Sequence, residues 1–166
     1  LGQRLAFVPL APAVLDHALL EKWPAQGTVW QLRIDDDTPV DAPLLERMGA
    51  LKARGFGFAV DATAAMRPAQ QALLEQADYV LLDASSEDIP AVTAQMSAIA
   101  RLATGKRFVA TGVQTLEAFH MCQKLQCSLF MGPFITRHEK VEGPAMGPSR
   151  AKVMDLMNRV RTGAEL

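Results

Sequence analysis

The sequence predicts an α/β fold built on a parallel β-sheet, and two observations carry this prediction. Six short apolar runs alternate with helical patterns, and the runs recur at about the length of one βα unit. Several runs are apolar through their centres instead of alternating, as strands buried on both faces are. This pattern leaves an open doubly wound sheet and a barrel both possible. No glycine-rich phosphate-binding motif follows a run, so nothing specifically favours the open sheet.

The predicted elements alternate in chain order. We predict strands at 4–9, 28–34, 56–61, 78–83, 107–111 and 128–132. A helix is predicted at 39–55, where four apolar residues recur with helical spacing: Leu44, Leu45, Met48 and Leu51. A second helix at 86–105 repeats this pattern with Ile89, Val92, Met96, Ile99 and Leu102. A third helix is predicted to begin at Thr115, after the loop that follows the fifth strand.

A Gly/Pro-rich loop at 135–149 precedes a last predicted helix, for which Ser149 is a suitable N-cap. We therefore expect residues 1–147 to form an N-terminally incomplete (β/α) barrel domain. Residues 148–166 are expected to form a C-terminal helix, which docks on the barrel or links it to a downstream domain.

Composition excludes several functional classes. The chain is 49% hydrophobic and 21% charged, with a formal net charge of −1 and scattered basic residues, so no nucleic-acid partner is expected. No apolar stretch approaches the roughly 20 residues of a membrane span, and the N-terminal residues show no signal-peptide pattern. Cys122 and Cys127 lack the spacing of a zinc site and are expected to be buried free thiols. These features predict a cytoplasmic protein without a membrane partner.

Six landmarks at the predicted strand ends resemble those of one family in order and spacing: "FVPL", "LRIDD", "FAVDAT", "DYVLLD", "VATGVQTLEAF" and "LFMGPFI". The family is the EAL domains, the cyclic di-GMP phosphodiesterases. The similarity is closer to the EAL-like half of proteins that carry a C-terminal HDOD domain. This resemblance implies a TIM-barrel-like fold of EAL type, of which about six βα units and a C-terminal helix are present here. It also implies an HDOD-like domain or another signalling protein as partner, and a possible homodimer.

The resemblance also shows which positions depart from the family's metal-binding pattern. Pro9 stands where the family has a metal-binding Asn, and Arg33 replaces the leading Glu of the second landmark. Asp36 keeps an acid at that motif's second acidic position. The paired aspartates of the family become Asp61 and Ala62, so one carboxylate is missing.

The remaining departures concern the catalytic groups. Leu81 replaces the catalytic Lys, although Asp83 is kept. Thr111 and Gln114 replace the two acids of the fifth landmark, and Met131 replaces the Gln of the last one. Divalent metal sites need several oxygen ligands, which two aspartates beside an arginine do not supply. We therefore expect no catalytic residues, no metal and no cofactor at these positions.

The resulting hypothesis is a catalytically inactive, EAL-like signalling or regulatory module that acts through protein interactions. Two alternatives remain open: an active or weakly active cyclic di-GMP phosphodiesterase, and a receptor that binds the nucleotide without cleaving it. Binding of cyclic di-GMP is not expected, because nucleotide-facing positions have changed together with the metal ligands.

Structural roles are also available for the charged residues of this region. Asp61 and Asp83 would each cap the turn that follows their strand. Arg33 would form an ion pair with Asp61, and the three aspartates at 35–37 would form a solvated turn.

Overall fold

Residues 4–86 and 88–136 are described by the computed structural model. They contain a parallel sheet whose strand order follows the chain, from β1 to β6. The strands are Ala6–Leu10 (β1), Thr28–Leu32 (β2), Gly57–Asp61 (β3), Tyr79–Asp83 (β4), Arg107–Thr111 (β5) and Leu129–Phe130 (β6). The predicted α/β fold with a parallel sheet is confirmed.

The strand order decides between an open sheet and a barrel. A doubly wound sheet reverses its strand order at a switch point, which places helices on both faces. Here each strand pairs in parallel with the next one along the chain, without a reversal. Successive crossovers of the same hand then place the helices on one face, and the sheet curls around the other. These residues form an α/β half-barrel of TIM-barrel-like type.

The three longer helices confirm the sequence prediction, with shorter bounds. The helices are Leu19–Lys22 (α1), Ala42–Ala53 (α2), Ala62–Ala65 (α3), Leu73–Gln76 (α4), Ile89–Leu102 (α5), Leu116–Lys124 (α6) and Pro133–Thr136 (α7). The start of each longer helix is set by an N-cap side chain that accepts a hydrogen bond from the backbone N–H three residues on. The donor–acceptor distances are 3.1 Å for Asp41, 3.0 Å for Asp88 and 3.1 Å for Thr115.

The predicted apolar stripe of α5 is wrong at both ends. Ile89 and Leu102 are 44% and 46% exposed, whereas the three residues between them in the pattern are buried. A helix of 14 residues is about 21 Å long, and a five-residue strand is about 17 Å long. The first and last turns therefore extend past the sheet. The short helices α1, α3, α4 and α7 were not predicted from the sequence.

The sheet is buried on both faces, in two separate clusters of apolar residues. The cluster on the helix-covered face combines strand residues such as Trp30 and Phe58 with helix residues such as Met48. The buried members of the inner-face cluster all come from strands: Val29, Ala59, Tyr79, Leu81 and Val109. Burial on both faces is why the predicted strands are apolar throughout.

Several predictions fall outside the described residues. These are the loop at 135–149 beyond Thr136, the helix after Ser149 and the domain boundary between 147 and 148. The described residues belong to a compact unit that ends at Thr136. Among them, no helix is both long and apolar enough to cross a membrane.

Cys122 and Cys127 are buried free thiols, as predicted. Cys127 lies just beyond α6, where its N–H donates to the carbonyl of Cys122 at 3.0 Å. Burial raises the pKa of Cys122, and burial together with the neighbouring thiol raises the pKa of Cys127 to about 12. Almost no thiolate is therefore present at Cys127 near neutral pH.

We predict that iodoacetamide at pH 8 leaves both thiols of the native protein unmodified, because the thiolate is the reactive form. Mass spectrometry of the intact chain measures the modification. Unfolding in guanidinium chloride serves as the control and should expose both thiols to the reagent. Native labelling of Cys127 at the rate seen in the unfolded chain would contradict this account.

Candidate functional site

The candidate site lies at the carboxyl ends of the strands, on the inner face of the sheet. Registered partners in a parallel pair share a face, and residues two apart on one strand share it too. Asp61 is paired with Leu81, and Asp83 is paired with Thr111. Leu81 belongs to the inner-face cluster. The strand register therefore brings these four predicted positions together on the inner face.

Pro9 lies in β1, and Arg33 lies directly after β2. Pro9 is exposed and is paired with Gln31, two residues before Arg33. Arg33 follows β2 directly, and its N–H donates to the carbonyl of Leu10 at 3.0 Å. Its guanidinium acts electrostatically on Asp61, so it reaches the same region as the carboxylates of β3 and β4.

Of the two carboxylates at the ends of β3 and β4, Asp61 is the one without a local structural role. It stands at the N-cap of α3, but its side chain makes no capping hydrogen bond, so the predicted capping role is wrong. The predicted ion pair is wrong as well: among the described residues, Arg33 and Asp61 do not form a salt bridge. Burial raises the pKa of Asp61; the Arg33 guanidinium partly offsets this rise, and the Asp83 carboxylate adds to it.

Asp83 does have a local role. Its Oδ1 accepts a hydrogen bond from the N–H of Ser85 at 2.9 Å, which confirms the predicted capping of the turn. The next strand packs closely against this turn through Gly112, whose φ is +67°. A Cβ there would lie 2.9 Å from the Cβ of Ser85 and 3.1 Å from Asp83 Oδ1. Thr111 Oγ1 donates to the Leu82 carbonyl at 3.3 Å, so its proton is engaged in backbone contact.

The other predicted positions are not gathered around Asp61. Ala62 is buried in the core on the helix-covered face. Gln114 lines a separate cavity of about 330 Å³ between the loops after β4 and β5. Met131 packs against the inner-face cluster, and its N–H donates to the Ala110 carbonyl at 2.7 Å.

Asp36 is held by a network that the sequence did not reveal. Its carboxylate forms a salt bridge with Arg67, whose Nη1 donates to Gln70 Oε1 at 2.8 Å. Gln70 is only 1% exposed, and its Nε2 donates to the Asp35 carbonyl at 2.7 Å. Two longer contacts, of 3.4 Å each, reach the carbonyls of Asp36 and Thr38.

This Gln70 clamp fixes the loop at 35–38 from more than thirty positions away in the chain. The predicted solvated turn is confirmed, since all three aspartates at 35–37 are exposed and Asp36 pairs with Arg67 from the surface. Gln70 stands in a segment, 62–77, where the sequence showed no regular pattern. Gln71 follows directly, so nothing in the local sequence distinguished Gln70 as the buried member of the pair.

Arg67 also lines the cavity at the strand ends. This cavity has a volume of about 260 Å³ and is lined by Ile34, Asp61, Thr63, Ala64, Arg67, Leu81 and Asp83. Two carboxylates thus share it with one arginine, and Arg33 acts on Asp61 from nearby. The arrangement can form hydrogen bonds with a polar ligand, but its cationic and anionic groups are balanced.

The donor set does not fit a divalent metal centre. Mg²⁺ and Mn²⁺ take several oxygen ligands, and a two-metal site needs carboxylates for both ions. Within residues 4–86 and 88–136, no group of three or more His, Cys, Asp or Glu side chains could hold a metal ion. Burial also disfavours the charged form of Asp61, which a metal ligand would need.

Comparison with protein-family models gives no match to this sequence, and comparison with curated proteins gives none. Solved structures do match. The phosphodiesterase PaMucR in complex with c-di-GMP aligns with a TM-score of 0.64 at 18% identity, covering 80% of this chain and 67% of that chain. BlrP1 from Klebsiella pneumoniae, in a manganese and cyclic di-GMP complex, aligns with a TM-score of 0.64 at 22% identity, covering 80% and 38%.

A third structure is the YkuI protein of Bacillus subtilis, with an EAL domain, in complex with c-di-GMP and calcium. It aligns with a TM-score of 0.60 at 16% identity, covering 96% of this chain and 44% of that one. The chain has an EAL-type fold. The matched region is 67% of PaMucR but less than half of BlrP1 and YkuI. At these identities the likeness establishes the fold alone.

We predict that Asp61→Asn raises the thermal unfolding midpoint at pH 7. Because the pKa of Asp61 is raised in the folded state, the native protein binds the proton more tightly than the unfolded chain. Its carboxylate therefore lowers stability as the pH rises from the ordinary carboxyl range through the raised pKa. Calorimetric unfolding between pH 3 and 8 should show the gain at pH 7 and its loss at the acidic end.

The exposed acid Asp37 provides the matched control, since Asp37→Asn should leave the midpoint unchanged across this range. A lower midpoint for Asp61→Asn at pH 7 would show instead that attraction to Arg33 outweighs the cost of burial.

We predict that Gln70→Met lowers the free energy of unfolding by about 1–3 kcal/mol. Methionine keeps a similar volume but leaves the Asp35 carbonyl and the Arg67 guanidinium without their amide partner. Urea unfolding measures the change, and the exposed Gln123→Met in α6 is the control, which should have little effect. Equal stability of the two variants would show that the Gln70 clamp does not hold the loop.

Proposed function

We propose that this chain is a non-catalytic signalling or regulatory module of EAL type that acts through protein contacts. The observation that carries the proposal is the charge arrangement at the strand ends. Two carboxylates, Asp61 and Asp83, lie with Arg67 around the same cavity, and Arg33 acts on Asp61. The resemblance in sequence implies metal ligands and a catalytic lysine here, but the chain supplies arginines and Leu81.

The expected loss of activity follows from magnitudes. A bound metal lowers the pKa of water far below its bulk value, to about 7, and this activation is the main source of catalytic power in metal-dependent hydrolysis. General-base catalysis contributes a further ~10²–10⁴-fold. Thr111 cannot act as a general base at neutral pH, and its hydroxyl already donates to the Leu82 carbonyl. Gln114 carries no ionisable group.

A second candidate is a receptor that binds cyclic di-GMP without hydrolysing it. The expectation that the nucleotide does not bind rests only on changed side chains. Against it stand the solved structures of similar fold, among them complexes with c-di-GMP. The cavity at the strand ends also retains hydrogen-bonding groups of both charges. An active phosphodiesterase is the third reading, and Asp61 would be central to it.

The partner of the module is proposed from the sequence resemblance alone. It is an HDOD-like domain downstream or another signalling protein, with a homodimer of the chain as a further proposal. The cytoplasm is the proposed location, since the two cysteines are free thiols within the described residues.

We predict that the protein forms no linear dinucleotide from cyclic di-GMP when incubated with Mg²⁺ or Mn²⁺. Chromatography measures formation of the linear dinucleotide, and an active EAL-domain phosphodiesterase assayed in parallel serves as the positive control. Turnover that disappears in the Asp61→Asn variant would overturn the non-catalytic proposal and restore the phosphodiesterase.

When turnover is absent, calorimetry with cyclic di-GMP in the presence of EDTA separates the two remaining functions. Micromolar binding would identify a metal-independent receptor. Absence of binding would leave protein contacts as the route of signalling.

A further inference from the structure

A groove outside the strand-end cavity has the properties of a small-molecule site. It lies between the 3₁₀ turn Pro12–Val14, which follows β1, and the first half of α2. Its volume is about 670 Å³, which is within the usual range of roughly 300–1,000 Å³ for ligand pockets. The apolar part of its wall consists mainly of proline and leucine side chains: Pro12, Leu15, Pro39, Pro43 and Leu44.

One wall of the groove is fixed by Arg47 of α2. The Nε of Arg47 donates to the Leu15 carbonyl at 2.8 Å and lies 3.2 Å from Asp16 Oδ1 in a salt bridge. These contacts tie the segment after β1 to a helix more than thirty positions away in the chain. Leu15 is itself fully buried beneath them.

The opposite wall is the loop at 35–38, which is fixed as well. Within it, the Asp35 N–H donates to Thr38 Oγ1 at 3.0 Å, and the Thr38 N–H donates to the Asp35 carbonyl at 3.0 Å. From behind, the Gln70 clamp holds the same carbonyl. Since both walls are held by long-range contacts, the groove exists without a ligand. Binding therefore carries no entropy cost for ordering the loop at 35–38.

The charges of the groove fall into two groups. Arg47 and Asp16 neutralise each other, and the Asp41 carboxylate accepts the Leu44 N–H at the start of α2. Arg33 and Asp35 are different: both are exposed, and within the described ranges neither charged group has a hydrogen bond or salt bridge. Both line the groove, so it offers one cation and one anion without a hydrogen-bonded partner beside an apolar wall, although Arg33 also acts electrostatically on Asp61.

We propose that this groove binds a small zwitterion with an apolar body, namely a free α-amino acid or a dipeptide with apolar side chains. The ligand carboxylate pairs with Arg33, whose planar guanidinium suits a carboxylate, and the ligand ammonium pairs with Asp35. The apolar side chain packs against Leu44 and the prolines. A polyanion fits less well, because Asp16, Asp35 and Asp41 also line the groove.

This site goes beyond the proposed function, because it would give the module a small-molecule input that is separate from any nucleotide. Its test contains no nucleotide, so its result does not depend on whether cyclic di-GMP binds. The probes are L-phenylalanine and the dipeptide Phe-Phe, titrated into ¹⁵N-labelled protein and followed by backbone amide shifts.

We expect saturable shifts at residues of the groove, and an affinity at least about tenfold weaker in Arg33→Gln and in Asp35→Asn. Matched controls are Asp37→Asn, on the same turn but outside the groove, and Arg101→Gln, exposed at the end of α5. Both controls should bind as the unchanged protein does. The probe that binds more tightly shows whether the groove prefers a free amino acid or a dipeptide.

Ligand analogues test which charge meets which residue. N-acetyl-L-phenylalanine lacks the ammonium, so its weak affinity should not fall further in Asp35→Asn; phenylalaninamide lacks the carboxylate and should be insensitive to Arg33→Gln. Absence of saturable shifts with both probes would overturn the proposal. Equal weakening by Asp37→Asn and Asp35→Asn would also overturn it, by showing a non-specific charge effect.

Discussion

The parallel register of the six strands is the constraint on which the rest of the structure depends. Each strand pairs with its successor along the chain. Within a strand, side chains two residues apart share a face, and alternate side chains therefore point to the helices or to the inner side of the sheet. A shift of one residue would move Asp61 into the apolar core and Val60 into the cavity. Burial of the inner-face cluster, built around residues such as Leu81, holds that register and so places the carboxylates.

At the strand ends, electrostatics rather than packing sets the chemistry. Asp61 is half-buried and makes no capping bond, which leaves its carboxylate without the local role that Asp83 has. The nearby guanidinium of Arg33 only partly offsets the cost of its burial. The Arg33 guanidinium lies near Asp61, whereas a divalent metal ion at this position would need several carboxylates around it. The strand ends of this EAL-like fold therefore carry two carboxylates together with two arginines.

Arg33 connects two parts of the molecule. It acts on Asp61 at the strand ends, and it also lines the groove in front of α2. The loop at 35–38 between these parts is held by the Gln70 clamp, and Arg67 of the same network lines the strand-end cavity. Arg33 is thus common to the surroundings of both regions.

The sequence by itself determined the α/β class, the positions of the six strands and the starts of the longer helices. These depend on local patterns: apolar runs, helical spacing and N-cap residues such as Asp41 and Thr115 lie within a few residues of what they control. Local patterns left an open sheet and a barrel both possible; the family resemblance implied the barrel, and the structure confirms it. Only the tertiary structure decided that Ala62 faces the core and that Asp36 pairs with Arg67. Contacts such as that between Gln70 and Asp35 join residues 35 positions apart, and their energy depends on burial, which no local pattern records.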